Sequence, residues 1–278
     1  MTTPERSARV WIVTGATSGI GRELVRQALA AGEAVAAIAR NTASLADLGT
    51  HGRLLAIDAD VRDETAVKEA AGQAAARFGR LDVVANNAGY GLFGAVEEAS
   101  DAQARAIFDT NVSGALNVLR ATLPILRAQR SGHILQGSSY YGQTAHSGVG
   151  LLAATKYALE GLSDALAGEV APLGIKATII EPGLVATPFL SNLDVAAGAQ
   201  ADYDQTVRKT QKEVAALPPS AFTPADRIAA GIRAAVTAPN PPLRLSVGVD
   251  GAAQMRAALT TRLADLDKSA DFASELEG

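Results

Sequence analysis

The chain contains no cysteine, which excludes disulfides, thiolate nucleophiles and any cysteine-based metal site. Its three histidines, His51, His133 and His146, are scattered without the spacing of metal ligands, so no metal is expected. An excess of positive charge is also missing. The formal net charge is -4 and no run of lysine and arginine stands out, which argues against a nucleic-acid partner. No uninterrupted apolar stretch reaches membrane-spanning length, and residues 1–9 are polar without an apolar leader core. The expectation is a soluble, cytoplasmic protein with no membrane partner. Neither a low-complexity tract nor a repeat of solenoid period is present.

What the chain does have is apolar material, 48% of its residues against 19% charged, enough to bury a two-sided sheet. Short β-branched runs alternate with longer alanine-rich amphipathic stretches, the pattern of βαβ units around a parallel sheet. The runs predict strands at 10–13, 34–39, 54–57, 81–85, 133–136, 177–180 and 243–247, the last weakened by the prolines before it. Helices are predicted at 20–31, 64–78, 102–127, 151–170 and 225–236, with Gly32, Gly79 and Gly174 placed as C-terminal caps. Residues 184–222 carry no strand pattern and are read as a substrate lid. Residues 251–278 read as a terminal helix, amphipathic around Met255, Leu259, Leu263 and Leu266. At 278 residues, one α/β domain spanning 1–278 accounts for the whole length.

Directly after the first predicted strand stands Thr14-Gly15-Ala16-Thr17-Ser18-Gly19-Ile20-Gly21. Three glycines at this spacing permit a tight turn, close approach of backbone N–H groups to a pyrophosphate, and a helix N-terminus facing the anion. Together with Asn86-Asn87-Ala88-Gly89 after the fourth strand, this Thr-Gly-x-x-x-Gly-x-Gly run resembles the short-chain dehydrogenase/reductase family. Asp60-Val61, Asn111, the Ser139 and Lys156 pair, and Pro182-Gly183 followed by Thr187 stand in that family's order and spacing. The likeness covers about residues 9–189, and the tail in outline.

The resemblance implies a doubly wound Rossmann-type α/β domain with a mostly parallel, seven-stranded sheet, binding a nicotinamide dinucleotide. It implies that Gly15, Thr17, Ser18, Gly19, Ile20 and Gly21 hold the pyrophosphate and adjoining ribose, and Asp60 and Val61 the adenine. Asn87, Ala88 and Gly89 would meet the adenosine ribose, with Asn87 favoured over Asn86 as the contacting residue. Pro182, Gly183, Val185 and Thr187 would reach the nicotinamide end. It further implies a homo-oligomer, a dimer or tetramer paired through the 102–127 and 151–170 helices. The end of the second strand decides between dinucleotides, because a carboxylate there accepts from a ribose 2′-OH and repels a 2′-phosphate. Here it reads Ala39-Arg40-Asn41, and a guanidinium can bind a phosphate bidentately, so NADP(H) is expected.

For the reactive centre the resemblance implies a serine, Ser139, that orients a carbonyl oxygen. It also implies a lysine, Lys156, that holds the nicotinamide ribose, and an asparagine, Asn111, that supports a proton-relay water. A tyrosine is expected four residues before the lysine, and that position holds Leu152. Tyr157 is turned about 100° away on the helix and is read as a packing residue. Hydride transfer to a carbonyl develops an alkoxide that needs a positioned proton donor, and Tyr140, Tyr141 and His146 lie on the adjacent loop, with Tyr141 and His146 preferred. The leading expectation is an NADP(H)-dependent oxidoreductase acting on a carbonyl or alcohol with an atypical proton donor. Its substrate would be a small molecule, apolar to suit Leu92, Phe93, Tyr141 and the lid. Two others stay open: a cofactor-binding protein without redox turnover, and a reductase disabled by substitution at Leu152.

Overall fold

The computed structural model describes residues 8–49, 52–189 and 192–277; His51 and the polar stretch up to residue 7 lie outside them. Seven strands form one parallel sheet: β1 (Val10–Thr14), β2 (Ala34–Ala39), β3 (Leu54–Asp58), β4 (Val83–Asn86), β5 (Gly132–Gly137), β6 (Ile175–Pro182) and β7 (Arg244–Val247). Their spatial order is β7-β6-β5-β4-β1-β2-β3. β1 pairs with β2 on one side and with β4 on the other, so the winding reverses there and opens a crevice at the carboxyl ends of the strands. β7 lies at the edge, where the prolines preceding it cost no ladder hydrogen bond.

The strands are apolar on both faces because helices cover both. Ile12, Ala36, Ile38, Val84 and Ile134 point to one face, packing on α2 (Glu64–Phe78) and α4 (Gly114–Gln129) through Val67, Ala70, Ala74, Val118 and Leu126. Their alternates Trp11, Val13, Val35, Ala37 and Leu135 point to the other, against α1 (Gly19–Ala30) and α7 (Ala225–Thr237). The period-two split of one apolar run between two layers is what a buried parallel strand requires.

The 102–127 segment is not one helix. α3 (Asp101–Phe108) and α4 are joined by a π-helical turn over Asp109–Ser113, which holds Asn111. Residues 184–222 do contain strand, as two short pairs: Val185–Ala186 with Thr223–Pro224, and Leu92–Phe93 with Asp194–Val195. A short helix, α6 (Lys209–Ala215), follows in the same segment. The 102–127 and 151–170 stretches turn most of their large apolar side chains inward. Of their large hydrophobics only Phe108 is exposed among the described residues, whereas Leu259, Leu263 and Leu266 of α8 (Gly251–Glu277) are exposed and only Met255 of that stripe is buried. No described helix is long and apolar enough to cross a membrane.

Candidate active site

The glycine-rich turn after β1 is built from backbone that only glycine adopts cheaply: Gly15 and Gly19 sit at φ +64° and +51°. A Cβ on Gly21 would stand 2.3 Å from the Gly15 carbonyl oxygen, so the helix enters against its own turn. No side chain caps the first turn of α1, which leaves its N–H groups and positive dipole end for an anion. The neighbouring turn after β4 is stitched alongside. Thr14 Oγ1 accepts from the Asn87 and Ala88 N–H groups, both at 3.0 Å, and Asn87 Nδ2 donates to the Thr14 carbonyl at 3.1 Å. Asn87 therefore ties two turns together at the cavity wall. Asn86 is buried and donates to the Ala115 carbonyl and Gln136.

From these turns a continuous cavity of about 1140 Å³ runs along the strand ends. It is bordered by Gly15, Thr17, Ser18, Gly19, Ile20, Arg40, Asp60, Val61, Asn87, Ala88 and Gly89, then by Pro182, Gly183, Val185 and Thr187. Gly21 and Asn111, expected with them, stand behind that wall. The 182–187 loop closes over the glycine turn, since a Cβ on Gly19 would come within 3.0 Å of Thr187 Cγ2. Such a cradle, with an uncapped helix end at its floor, fits a dinucleotide pyrophosphate. At the far end Arg40 is exposed and donates no hydrogen bond among the described residues, while Asp58 pins the next turn through Thr42 N and Oγ1 at 2.8 and 2.7 Å. Asp60 is held by Arg62, which donates from N, Nε and Nη2 at 2.6–3.1 Å. That pairing keeps the Asp60 carboxyl below its ordinary pKa. Arg62 escaped the sequence reading, although its spacing of two from Asp60 was visible.

At the other end β5 delivers Ser139, whose hydroxyl accepts from the Tyr141 N–H at 3.2 Å. Lys156 enters from α5 (Gly150–Val170) and donates from Nζ to the Gly137 carbonyl at 2.9 Å. Burial pushes its ammonium down to about 8. Leu152, one turn earlier on the same face, lines the same cavity and is 3% exposed. It packs in a cluster with Leu92, Phe93, Ile107 and Val149.

Tyr141 and His146, expected separately, meet. The Tyr141 hydroxyl and His146 Nε2 are 2.5 Å apart, and His146 Nδ1 is 3.0 Å from the Ser147 carbonyl oxygen. A carbonyl only accepts, so Nδ1 carries hydrogen, and in the neutral ring Nε2 accepts from the phenol. Burial, followed by the nearby Tyr140, pushes the Tyr141 phenol above its ordinary pKa. Asn111 works differently. Its side chain accepts from Tyr90 N at 3.0 Å and donates to the Tyr90 carbonyl and to Thr155 Oγ1 at 2.9 and 3.1 Å, while Thr155 Oγ1 donates to the Leu152 carbonyl. It joins the π turn to α5 and to the wall below Gly89. Tyr157 lies under the Arg262 guanidinium, 4.8 Å from ring centre to Cζ, away from the cavity lining.

The short chain dehydrogenase family model matches residues 9–197. The chain belongs to this family. Among curated relatives of this short chain dehydrogenase, the oxidoreductase BOA17 of Botryotinia fuckeliana is 35% identical over 245 residues, 87% of this chain and 89% of that one. A 3-ketodihydrosphingosine reductase of Bacteroides thetaiotaomicron is 31% identical over 242 residues, covering 86% and 88%. Among solved structures, a short-chain dehydrogenase of Streptomyces avermitilis superposes with a TM-score of 0.88 at 35% identity, covering 98% of this chain and 99% of the other.

Proposed function

We propose that this short chain dehydrogenase binds NADP(H) and moves a hydride between it and an apolar carbonyl or alcohol, with the Tyr141–His146 pair as proton source. The observation that carries the reading is that pair: a phenol on an imidazole at 2.5 Å, bordering the same cavity as Ser139 and Lys156. The dinucleotide supplies or accepts the hydride at its nicotinamide. The chain's part is to hold the substrate oxygen and manage one proton. Ser139 orients the oxygen, and Lys156 anchors the nicotinamide ribose beside Leu152. In the neutral pair the Tyr141 proton is engaged with His146. Donation to substrate therefore calls for His146 as imidazolium: Nε2–H then donates to the phenol oxygen, and the Tyr141 O–H turns to the substrate. When the phenol proton passes to the alkoxide, His146 restores it and is left neutral. Reduction uses the protonated pair and alcohol oxidation the neutral one.

Arg40, exposed where an acid would select NAD(H), supports NADP(H). Leu92, Phe93, Val149, Leu152, Phe189 and Leu193 make the substrate end apolar, and the name of the Bacteroides relative is compatible with a keto substrate. Residues 184–222 serve as the cover, contributing Leu184, Phe189, Leu193 and Val214 to the wall. Arg208 holds that cover to the buried Glu98.

The competing reading is a cofactor-binding protein without turnover, favoured by the apolar Leu152 beside Lys156. Following NADPH absorbance over a panel of ketones, aldehydes and quinones separates the two. Tyr141→Phe and His146→Ala should each lower reduction by roughly 10²-fold or more. Leu152→Tyr should raise it, by roughly 10²–10⁴-fold if the parent is a disabled reductase. A silent parent and an equally silent Leu152→Tyr that both bind NADPH would overturn the oxidoreductase reading. NADPH affinity and thermal stability are the controls, because the larger ring enters a packed site.

A further inference from the structure

Behind the Ser139–His146 loop, outside the cavity, lies a polar cluster that joins that loop to α5 and to the end of β6. Gln143 Nε2 stands 3.1 Å from Glu160 Oε2 and 3.1 Å from Glu181 Oε1. Two carboxylates facing one amide settle its orientation: the NH2 group faces them and both of its hydrogens are used. Glu160 and Glu181 are 5% and 3% exposed. Glu160 follows Lys156 by one turn of α5, and Glu181 directly precedes Pro182-Gly183. Arg244 of β7 completes the cluster, donating to Glu160 Oε2 at 3.0 Å and to Asp164 at 2.7 and 2.8 Å. The loop backbone is seated on the same cluster. A Cβ on Gly142 would lie 2.5 Å from Ser138 Oγ and 2.7 Å from Glu160 Oε1, and Arg262 of α8 donates to the Gln143 carbonyl at 2.7 Å.

Gln143 stands two residues after Tyr141 and three before His146. We propose that Gln143 is a positioning residue: clamped between Glu160 and Glu181, it fixes the loop so that the Tyr141 hydroxyl meets His146 Nε2. Backbone hydrogen bonds of a 3-10 turn over Tyr140–Gly142 hold the first half of the loop, with the Gln143 and Thr144 N–H groups both donating to the Tyr140 carbonyl, and the Gln143 side chain anchors the end of that turn to α5 and β6 before the chain reaches His146. Only the catalytic consequence rests on the function proposed above. The positional claim stands on the loop geometry.

The test uses full-length protein and histidine-selective nitrogen NMR, in which a chain of three histidines gives a spectrum simple enough to assign. In the parent, His146 should show one fixed tautomer with a hydrogen-bonded Nε2. Gln143→Met keeps the length and removes both N–H groups. It should turn the His146 signals into an average of tautomers, while the buried His133, bonded to Thr178 at 2.9 Å, keeps its own signals as a measure of intact fold. In turnover the same variant should lose kcat by roughly tenfold or more with NADPH affinity unchanged. A His146 signature identical to the parent's in folded Gln143→Met would overturn the proposal. If that variant fails to fold, Glu181→Met and Glu181→Gln decide. The first should lose the signature and the second, whose amide oxygen still accepts, should restore it; retention in Glu181→Met would overturn the proposal. A parent without turnover refutes the proposed function and leaves the NMR result to decide the positioning claim.

Discussion

Arg40 is the group on which the choice between the two dinucleotides turns. Its guanidinium is exposed at the end of β2, beside a turn that Asp58 ties down through Thr42, so a 2′-phosphate placed there meets a charge that need break no hydrogen bond among the described residues. Arg40→Asp should weaken NADPH at least tenfold, about 1.4 kcal/mol, and leave NADH within a few-fold. Fluorescence titration with both dinucleotides checks it, and an equal loss for the two would remove the basis for NADP(H). Arg40 was legible because the absence of an acid at a strand end is a local fact. Tyr141 and His146 were legible singly, since residue types show in the sequence, but their 2.5 Å contact depends on loop torsions that spacing does not encode. Gln143, Glu160 and Glu181 gave no signal at all. They come from a loop, a helix and a strand end, and only the tertiary fold brings them together.

At the scale of elements, the central strands β1, β2, β4 and β5 were readable because they are buried on both faces, which leaves an uninterrupted apolar run flanked by turns, whereas the edge strands β3 and β7 are only partly buried. The break between α3 and α4 was not readable. A π turn adds a residue to the helical path without needing glycine or proline, so Asp109–Ser113 looks like continuous helix until its backbone is seen. The glycine turn is the element whose chemistry and conformation were both visible, and it yields a sharp expectation. With a Cβ only 2.3 Å from the Gly15 carbonyl and 2.7 Å from Asn87 Nδ2, Gly21→Ala must push α1 away from the turn. The strain should cost about 1–3 kcal/mol, lowering Tm by roughly 2–4 °C per kcal/mol. NADPH binding should fall by more than the stability does, because the displaced helix end is the anion site proposed for the pyrophosphate. An alanine variant with parental Tm and parental affinity would contradict that geometry.

For the whole molecule, two carboxylates set the response of stability to pH in opposite senses. Glu98, beneath the 184–222 cover, is held down to about 2 from an ordinary 4.5, first by Arg208 and also by the Gln200 and Ala95 N–H groups. A lowered carboxyl stabilises the fold above its unfolded value, so this contribution is lost as pH falls from about 4.5 to about 2. Glu181 behaves oppositely. Burial, then the Glu160 charge, raises it to about 7, while Gln143 and Arg244 pull the other way and Asp164 adds to the rise. Between about 4.5 and about 7 the folded state holds a proton on Glu181 that the unfolded chain has released, so this contribution to stability declines as pH rises through that window. Glu181→Gln removes the titration while keeping an acceptor for Gln143. It should equal the parent near the bottom of that window and exceed it above about 7, by on the order of 1 kcal/mol, which in a chain of this size is a Tm gain of roughly 2–4 °C. Thermal unfolding of both proteins across the pH range reads the difference directly. A gain of the same size at every pH would mean that the Glu181 charge is not what the fold pays to bury.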